Sequence, residues 1–275
     1  MKTEQTPHSN PLKCAKTAFG AAMALAALLC AFSGLLWPAL ADGQNAAPAA
    51  ALVVQPAAST NAPAEIQREK DCRIIYLGFV GALEPAHNKY SGVVQIGDSL
   101  QGKDFPDVCA KTYSPYVWGD GLHWLLGHFP SHAGVLTAEE RQRAPKVVLV
   151  GHSMGGWAIV NVARKLNSRD IPVELTIQVD SVGFTDYTLP RNINSAAIFH
   201  ARDVLMPITT KHVRMEDPSH TKLLENVTVQ GAGHESITRD PRIRELVMKT
   251  IEDLRASFAV NPVAAASIPS APAQN

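Results

Sequence analysis

The chain has 275 residues, with 25 lysine and arginine residues against 25 aspartate and glutamate residues, so its formal net charge is zero. Hydrophobic residues make up 46% of it and charged residues 18%, which excludes disorder along the whole chain. A neutral chain without a basic run fits nucleic acid poorly as its main partner. The length allows one large domain or two small ones, and either arrangement can bury a sizeable core.

The first 41 residues have the pattern of a secretory signal peptide. Three lysines precede a run over residues 17–41 that has no charged residue, and Ala39 and Ala41 supply small side chains for cleavage before Asp42. An uncleaved membrane anchor is the alternative, because about 20 apolar residues can span a bilayer. We therefore expect an exported protein, periplasmic or secreted, that contacts the membrane only if this segment stays uncleaved.

Residues 42–69 and 259–275 have low-complexity sequences. Both are rich in alanine and proline and show neither a helical nor a strand period, so neither can bury enough apolar surface to order itself. We interpret the first as a linker and the second as a disordered tail. The folded part is then expected over residues 70–258, where the order of the motifs indicates one domain and not two.

Short apolar runs alternate with helical patterns across this part of the chain. The candidate strands are residues 73–80, 108–113, 146–150, 173–179, 196–200 and 227–230. Helices are predicted over residues 92–100 and 154–167, and a last one follows Asp240, a capping residue with proline behind it. Strands that alternate with helices indicate an α/β fold, with a mostly parallel sheet of about six strands and helices on both faces.

The most informative stretch is residues 146–156, where a buried strand runs into Gly-His-Ser-Met-Gly and a helix follows. Between a strand and a helix, G-x-S-x-G holds the serine in a sharp turn that exposes its hydroxyl above the sheet. The outer glycines, Gly151 and Gly155, let the strand and the helix approach closely. Ser153 is therefore the candidate nucleophile. The alternative is an ordinary glycine-rich turn between a strand and a helix that has no catalytic role.

This stretch resembles the nucleophile turn of the α/β-hydrolase fold family, and the resemblance covers about residues 72–258. The chain is similar to the small, capless esterases, lipases and thioesterases of that family, because the short connection after Asp180 leaves no room for a large cap. The resemblance implies a serine, an acid and a histidine in this order along the chain. It implies no cofactor.

A serine hydroxyl is a weak nucleophile and needs a base, and histidine titrates in the useful range. Of the ten histidines, His234 is in the expected place, in the loop between the strand at 227–230 and the last helix. Parallel strands end at one edge of the sheet, so His234 can reach Ser153 there. A surface histidine is the alternative, and His152 is expected to pack beside the nucleophile.

Two aspartates are candidates for the acid that orients His234. Asp180 ends the strand at 173–179, and Asp203 follows the strand at 196–200. The context of Asp203 is similar to the commoner acid position of the family, and that of Asp180 to the position found in some lipases. The sequence does not separate the two.

The resemblance also implies two backbone N–H groups that stabilise a developing oxyanion. Met154, the residue after the nucleophile, is expected to supply one. The loop after the first strand is expected to supply the other, from Phe79 or Val80, although the His-Gly usual in this loop is absent. A turn without catalytic part is the alternative here.

Two of the four cysteines, Cys72 and Cys109, lie outside the signal segment. Each begins a predicted strand, and in the α/β-hydrolase fold these two strands should be neighbours. An oxidising compartment then favours a Cys72–Cys109 disulfide, with two buried thiols as the alternative.

Three histidines, His123, His128 and His132, lie within the aromatic segment 113–132. His123 and His128 are five residues apart, which is not the spacing that faces one helix side, and no carboxylate cluster joins the histidines, so we expect no metal site. The aromatic side chains are expected to line an acyl pocket or to pack a helix onto the sheet.

The sequence thus predicts an exported serine hydrolase that cleaves an ester or thioester of a small-molecule or lipid-like acyl substrate, without a cofactor. A non-catalytic envelope protein that keeps the fold for binding is one alternative. An acyltransferase or amidase that uses the same three side chains is another. The sequence does not indicate the oligomeric state.

Overall fold

Six strands form one sheet in which every neighbouring pair is parallel. The computed structural model describes residues 72–130, 135–183, 185–202 and 212–260. The strands of this sheet are β1 (Ile74–Phe79), β2 (Val108–Tyr113), β3 (Lys146–His152), β4 (Leu175–Val179), β6 (Ser195–Ala201) and β8 (Lys222–Val229). Their order across the sheet is β2-β1-β3-β4-β6-β8. Two further strands, β5 (Thr188–Leu189) and β7 (Arg214–Met215), pair with each other.

Helices cover both faces of the sheet. They are α1 (Gly92–Leu100), α2 (Trp118–Leu126), α3 (Ala138–Arg143), α4 (Met154–Asn167) and α5 (Pro241–Val260). One face of the sheet packs against α2 and α4, and the opposite face packs against α1 and α5. The predicted α/β class, with a parallel sheet covered on both sides, is confirmed.

The central strand β3 shows why the sheet forms. Its residues Val147, Val148, Leu149 and Val150 have no exposed surface, and they alternate between the two apolar clusters on the two sides of the sheet. Complete burial of each such side chain stabilises the fold by about 1.5–3 kcal/mol relative to leaving it exposed. An unbroken run of valine and leucine is therefore typical of a strand that is covered on both faces.

The bounds of three elements are those expected from the sequence, those of four strands differ by one or two residues, and those of one strand differ more. The helix bounds at 92–100 and 154–167 and the strand at 108–113 are as predicted. The last helix begins at Pro241, and the carboxylate of Asp240 accepts a hydrogen bond from the N–H of Arg242, as expected of a cap. Strand β8, however, begins at Lys222, five residues before the predicted start. It is an edge strand with several exposed residues, so its first half lacks the apolar run that marks a buried strand.

The two cysteines expected to meet do so. Cys72 lies two residues before the start of β1, Cys109 lies in β2, and the structure joins them as a disulfide pair with their Cα atoms 5.5 Å apart. This spacing is within the range that a disulfide spans. Among the described residues, no helix combines the length and the apolar character needed to cross a bilayer. The predicted signal peptide and linker lie outside the described residues, as does the predicted tail beyond residue 260.

Candidate active site

Ser153 occupies a strained turn between β3 and α4. Its φ and ψ are 53° and −123°, a region that side-chain-bearing residues sparsely populate. Main-chain hydrogen bonds hold this conformation, because the N–H of Ser153 donates to the carbonyl of Val179 at 2.9 Å and its own carbonyl accepts from Val182 at 3.1 Å. These hydrogen bonds connect the turn at residues 151–155, here called the elbow, to the end of the neighbouring strand β4.

The glycines around Ser153 leave no space for a side chain. A Cβ atom at Gly151 would lie 2.1 Å from the carbonyl oxygen of Gly155, and one at Gly155 would lie 2.3 Å from the carbonyl oxygen of Phe79. Both contacts are with backbone atoms that cannot rotate away. The spacing of G-x-S-x-G therefore follows from the close approach of strand β3, helix α4 and the end of β1.

His234 and Asp180 meet at the same edge of the sheet. His234 Nδ1 lies 2.6 Å from Asp180 Oδ2, and the other oxygen of that carboxylate accepts the N–H of Ala201 at 3.0 Å. Asp180 is completely buried and has a φ of 44°, so it too is held in a conformation that favours glycine. Of the two candidate acids, the structure brings Asp180 to His234, and Asp203 lies outside the described residues.

The Asp180 contact defines which nitrogen of His234 carries the proton. An ionised carboxylate only accepts hydrogen bonds, so Nδ1 must be the donor. In the neutral ring the lone pair is then on Nε2, so this nitrogen can accept a proton. The arrangement is chemically that of a base with an acid behind it.

His152, the residue before Ser153, is completely buried and bridges two loops. Its Nε2 lies 2.9 Å from the backbone carbonyl of His234, and its Nδ1 lies 3.3 Å from Oε2 of Glu84. The rings of His152 and His234 are tilted at 43°, with centroids 4.7 Å apart. The expectation that His152 packs beside the nucleophile agrees with this position, but its hydrogen bond to Glu84 was not foreseen.

Glu84 is a mostly buried acid that the sequence analysis missed. The same Oε2 also accepts the N–H of Gly81 at 3.1 Å, and Oε1 accepts the amide of Asn88 at 3.0 Å. Burial by itself raises the pKa of Glu84, but the hydrogen bonds from His152 and Gly81 outweigh it and lower that pKa from 4.5 to about 2. Glu84 belongs to no motif, so no sequence pattern distinguishes it from a surface loop acid.

The loop after β1 passes over the nucleophile turn. A Cβ atom at Gly81 would lie 3.5 Å from Cβ of Ser153. The N–H of Val80 donates to the carbonyl of Tyr113 at 3.1 Å, which continues the pairing of β1 with β2 and argues against Val80 as an oxyanion donor. Because neighbouring residues of a strand point their N–H groups to opposite sides, the N–H of Phe79 faces β3. Met154, in contrast, is the first residue of α4, so its N–H has no acceptor within the helix.

Aromatic residues flank the elbow. Trp157 lies in the first turn of α4 and meets Trp118, at the start of α2, edge to face with ring centroids 6.4 Å apart. Trp124 instead packs against Tyr113 and the ring of His128. Packing of α2 onto the sheet is therefore observed for this segment, and the lining of an acyl pocket remains a prediction.

Two groups of side chains in the described part of the chain have the proximity that a metal ion needs. One is Cys72, Cys109 and His128, and the other is His152, His234 and Glu235. The cysteines of the first group form the disulfide pair, and the second contains the candidate base. His123 belongs to neither group, and His132 lies outside the described residues.

No protein-family model matches the sequence, and no curated protein matches it. Several solved structures are similar in fold. The RedJ thioesterase from the prodiginine pathway of Streptomyces coelicolor is 13% identical at a TM-score of 0.40, over 72% of this chain and 91% of that one. Est1E from Butyrivibrio proteoclasticus is 9% identical at a TM-score of 0.34, over 70% and 90%. A cutinase-like protein from Cryptococcus sp. is 14% identical at a TM-score of 0.37, over 67% and 96%.

The geometry of the chain itself defines its fold. A parallel sheet whose strands follow the order β2-β1-β3-β4-β6-β8 places the strained serine at the end of β3, near the middle of the sheet. Ligands of such sheets bind at the C-terminal edge of the strands, where Asp180 and His234 also lie. The predicted α/β class with a parallel sheet is confirmed, and the strand order and the serine turn after β3 agree with the resemblance to the α/β-hydrolase fold.

Proposed function

We propose that this protein is a serine hydrolase that cleaves an ester or thioester through an acyl-enzyme. The hydrogen bond between His234 and the buried carboxylate of Asp180, at the sheet edge where Ser153 is held in its strained turn, is the observation that carries the proposal. A buried carboxylate behind an imidazole, beside a serine held in a sharp turn, is the arrangement that activates a hydroxyl.

In the proposed reaction, Oγ of Ser153 attacks the acyl carbonyl and its proton passes to Nε2 of His234. The negative charge that develops on the carbonyl oxygen is stabilised by the N–H of Met154, at the positive end of helix α4, with a second donor from the loop after β1. The imidazolium returns its proton to the departing alcohol or thiol. Water then attacks the acyl-enzyme with His234 as base, which releases the acid and restores Ser153.

Asp180 is the proposed acid of this site. Its carboxylate keeps the proton of the neutral imidazole on Nδ1 and stabilises the imidazolium once His234 has accepted the second proton. The N–H of Ala201 holds the other oxygen of Asp180, so the carboxylate cannot rotate away from the ring without losing a buried hydrogen bond.

The proposed substrate has an apolar acyl group. Exposed apolar side chains lie on the loops that follow β1 and β2, at the edge of the sheet that carries Ser153: Leu83, Tyr90, Tyr116 and Val117. Leu83 is 93% exposed, and its loop contains Gly81, which passes over the serine. Trp157, in the first turn of α4, and Trp118 add a pair of aromatic rings near the serine turn. An open, apolar rim supports substrates larger than a short acyl ester.

Export remains part of the proposal. The support is the pattern of the first 41 residues together with the Cys72–Cys109 pair, because disulfides persist in oxidising compartments. N-terminal sequencing of protein recovered from outside the cytoplasm tests it. A chain that begins at Asp42 supports a cleaved signal peptide, and an intact N-terminus supports an anchor.

The central experiment labels the protein with a fluorophosphonate probe and measures hydrolysis of p-nitrophenyl butyrate. We expect Ser153→Ala to abolish the labelling and the hydrolysis. Ser168→Ala, which removes an exposed hydroxyl at the end of α4, is the matched control and should retain both. Labelling that survives in Ser153→Ala refutes the proposal. A wild-type protein that neither labels nor hydrolyses a panel of esters and thioesters supports the alternative of a binding protein on a hydrolase fold.

A further inference from the structure

A second buried pair of acid and imidazole, Glu84 and His152, lies next to the proposed catalytic residues. The His152 side chain is completely buried and the Glu84 side chain is 8% exposed. Between them the two side chains make contacts to three segments of the site: His152 belongs to the elbow, its Nε2 meets the backbone of His234, and Glu84 holds the N–H of Gly81. Removal of either side chain would leave buried polar atoms without their partners.

Both partners of His152 are hydrogen-bond acceptors. Nδ1 faces a carboxylate oxygen and Nε2 faces a carbonyl oxygen, and both of these atoms only accept hydrogen bonds. Loss of the His152 side chain therefore leaves both acceptor atoms without this partner.

We propose that Glu84 and His152 form a positioning pair that holds the backbone of His234 and the loop at Gly81 in place relative to Ser153. This inference rests on the proposed function. The two residues accept no proton from the substrate. The pair holds the backbone of the base through the His234 carbonyl, whereas Asp180 holds the ring of the same residue through Nδ1. The base is thereby held at two points, its backbone and its ring.

The expected effect is on the chemical step and not on substrate binding. The side chains of Glu84 and His152 have little or no exposed surface, whereas the apolar side chains proposed to hold the acyl group are exposed. A displacement of the base by about 1 Å can reduce the rate by about 10²-fold. Without the pair, we therefore expect kcat to fall while KM stays nearly constant. Other charged or titratable groups that face the pair are His234 itself, Asp180 behind it and Glu235.

The test compares Glu84→Ala, His152→Phe and the double variant, with p-nitrophenyl butyrate as substrate. His152→Phe keeps a ring in the buried site and removes both hydrogen bonds. We expect each single variant to lose about 30-fold or more in kcat, with KM within about twofold of wild type. Because the two residues act as one unit, the double variant should lose no more than the worse single one. Glu84→Gln, which keeps a carbonyl oxygen for one of the bonds, should recover part of the rate.

Glu174→Gln is the matched control. Glu174 is also a mostly buried carboxylate with an ion pair, to Lys146, and a hydrogen bond from Asn194, but it lies where β3 and β6 begin, at the opposite edge of the sheet. We expect its kcat to remain within about twofold of wild type.

Four results overturn the positioning role: an unchanged kcat in Glu84→Ala or, should that variant fail to fold, in His152→Phe; a loss confined to KM; additive losses in the double variant; or an equal loss in Glu174→Gln. Failure of the proposed function has a different signature. In that case wild-type protein itself is not labelled by the fluorophosphonate probe at Ser153. Labelled wild-type protein with fully active Glu84 variants refutes the positioning pair alone.

Discussion

Replacement of Asp180 by asparagine tests the acid of the proposed site with almost no change of shape. The N–H of Ala201 must keep an acceptor, so the amide oxygen of the new side chain will take the position of Oδ1, 3.0 Å from that nitrogen. The NH₂ group then faces Nδ1 of His234, across the distance that is 2.6 Å in the wild-type protein. Two donors cannot share that contact, so the imidazole must place its proton on Nε2.

The expected loss follows from this change of tautomer. With a proton on Nε2, His234 cannot accept the proton of Ser153, and the equivalent substitution in serine proteases reduces kcat about 10⁴-fold. That factor corresponds to about 5.4 kcal/mol of transition-state stabilisation. The fold should lose much less, because the substitution replaces a buried carboxylate by an amide of the same shape and retains the hydrogen bond from Ala201.

The assay measures kcat for p-nitrophenyl butyrate and the thermal unfolding midpoint of Asp180→Asn and Asp203→Asn. We expect kcat to fall by at least about 10³-fold in Asp180→Asn, while its unfolding midpoint stays near that of the wild type. Asp203→Asn, the alternative that the sequence left open, should remain active. The reverse outcome, an active Asp180→Asn with an inactive Asp203→Asn, would refute the tautomer argument and identify Asp203 as the acid.

Two further predictions concern stability. Gly155→Ala should destabilise the fold by about 3 kcal/mol or more, because its Cβ would meet two backbone oxygens within 2.7 Å. Gly119→Ala, in a helix where a Cβ meets nothing within 4 Å, should be neutral or stabilising, and equal denaturation midpoints for the two variants would contradict this. Glu84 has its pKa lowered from 4.5 to about 2, so its ionised form should stabilise the fold above about pH 4.5, and this stability should be lost as the pH falls towards 2. The urea midpoint of wild-type protein should therefore fall more steeply with decreasing pH than that of Glu84→Gln. Parallel plots of midpoint against pH would show that the ionisation of Glu84 contributes nothing to stability.

The features that the sequence predicts well are those that depend on neighbouring residues. The run 146–150 is apolar, is followed by glycine-flanked Ser153, and leads into a helical pattern, so the strand, turn and helix could be placed within two residues. The strain at Ser153 follows from the same local pattern. Strand β8 shows the limit, because an edge strand that starts with Lys222 and carries exposed polar residues has no continuous apolar pattern.

The features that the sequence leaves open depend on distant contacts. Asp180 and Asp203 both follow strands that end at the same sheet edge, and nothing in the local sequence decides which carboxylate reaches His234. Glu84 is 68 residues away from its partner His152 in the chain, in a loop with no motif of its own. The Val80 N–H is taken by Tyr113 only because β1 and β2 continue to pair by one more residue. Register and loop paths of this kind arise from tertiary packing.

The strained backbones at Ser153 and Asp180 also limit which mutations the rest of the chain can tolerate. Both residues have positive φ values, 53° and 44°, and conformations of this kind cost about 1–3 kcal/mol each. A domain of this size typically has a stability of about 5–15 kcal/mol. The strain at these two residues therefore lowers the net stability of the domain by an amount that is large relative to its total. Substitutions far from the site, in the apolar clusters on either side of the sheet, should consequently abolish activity through unfolding sooner than they would in a domain without this strain.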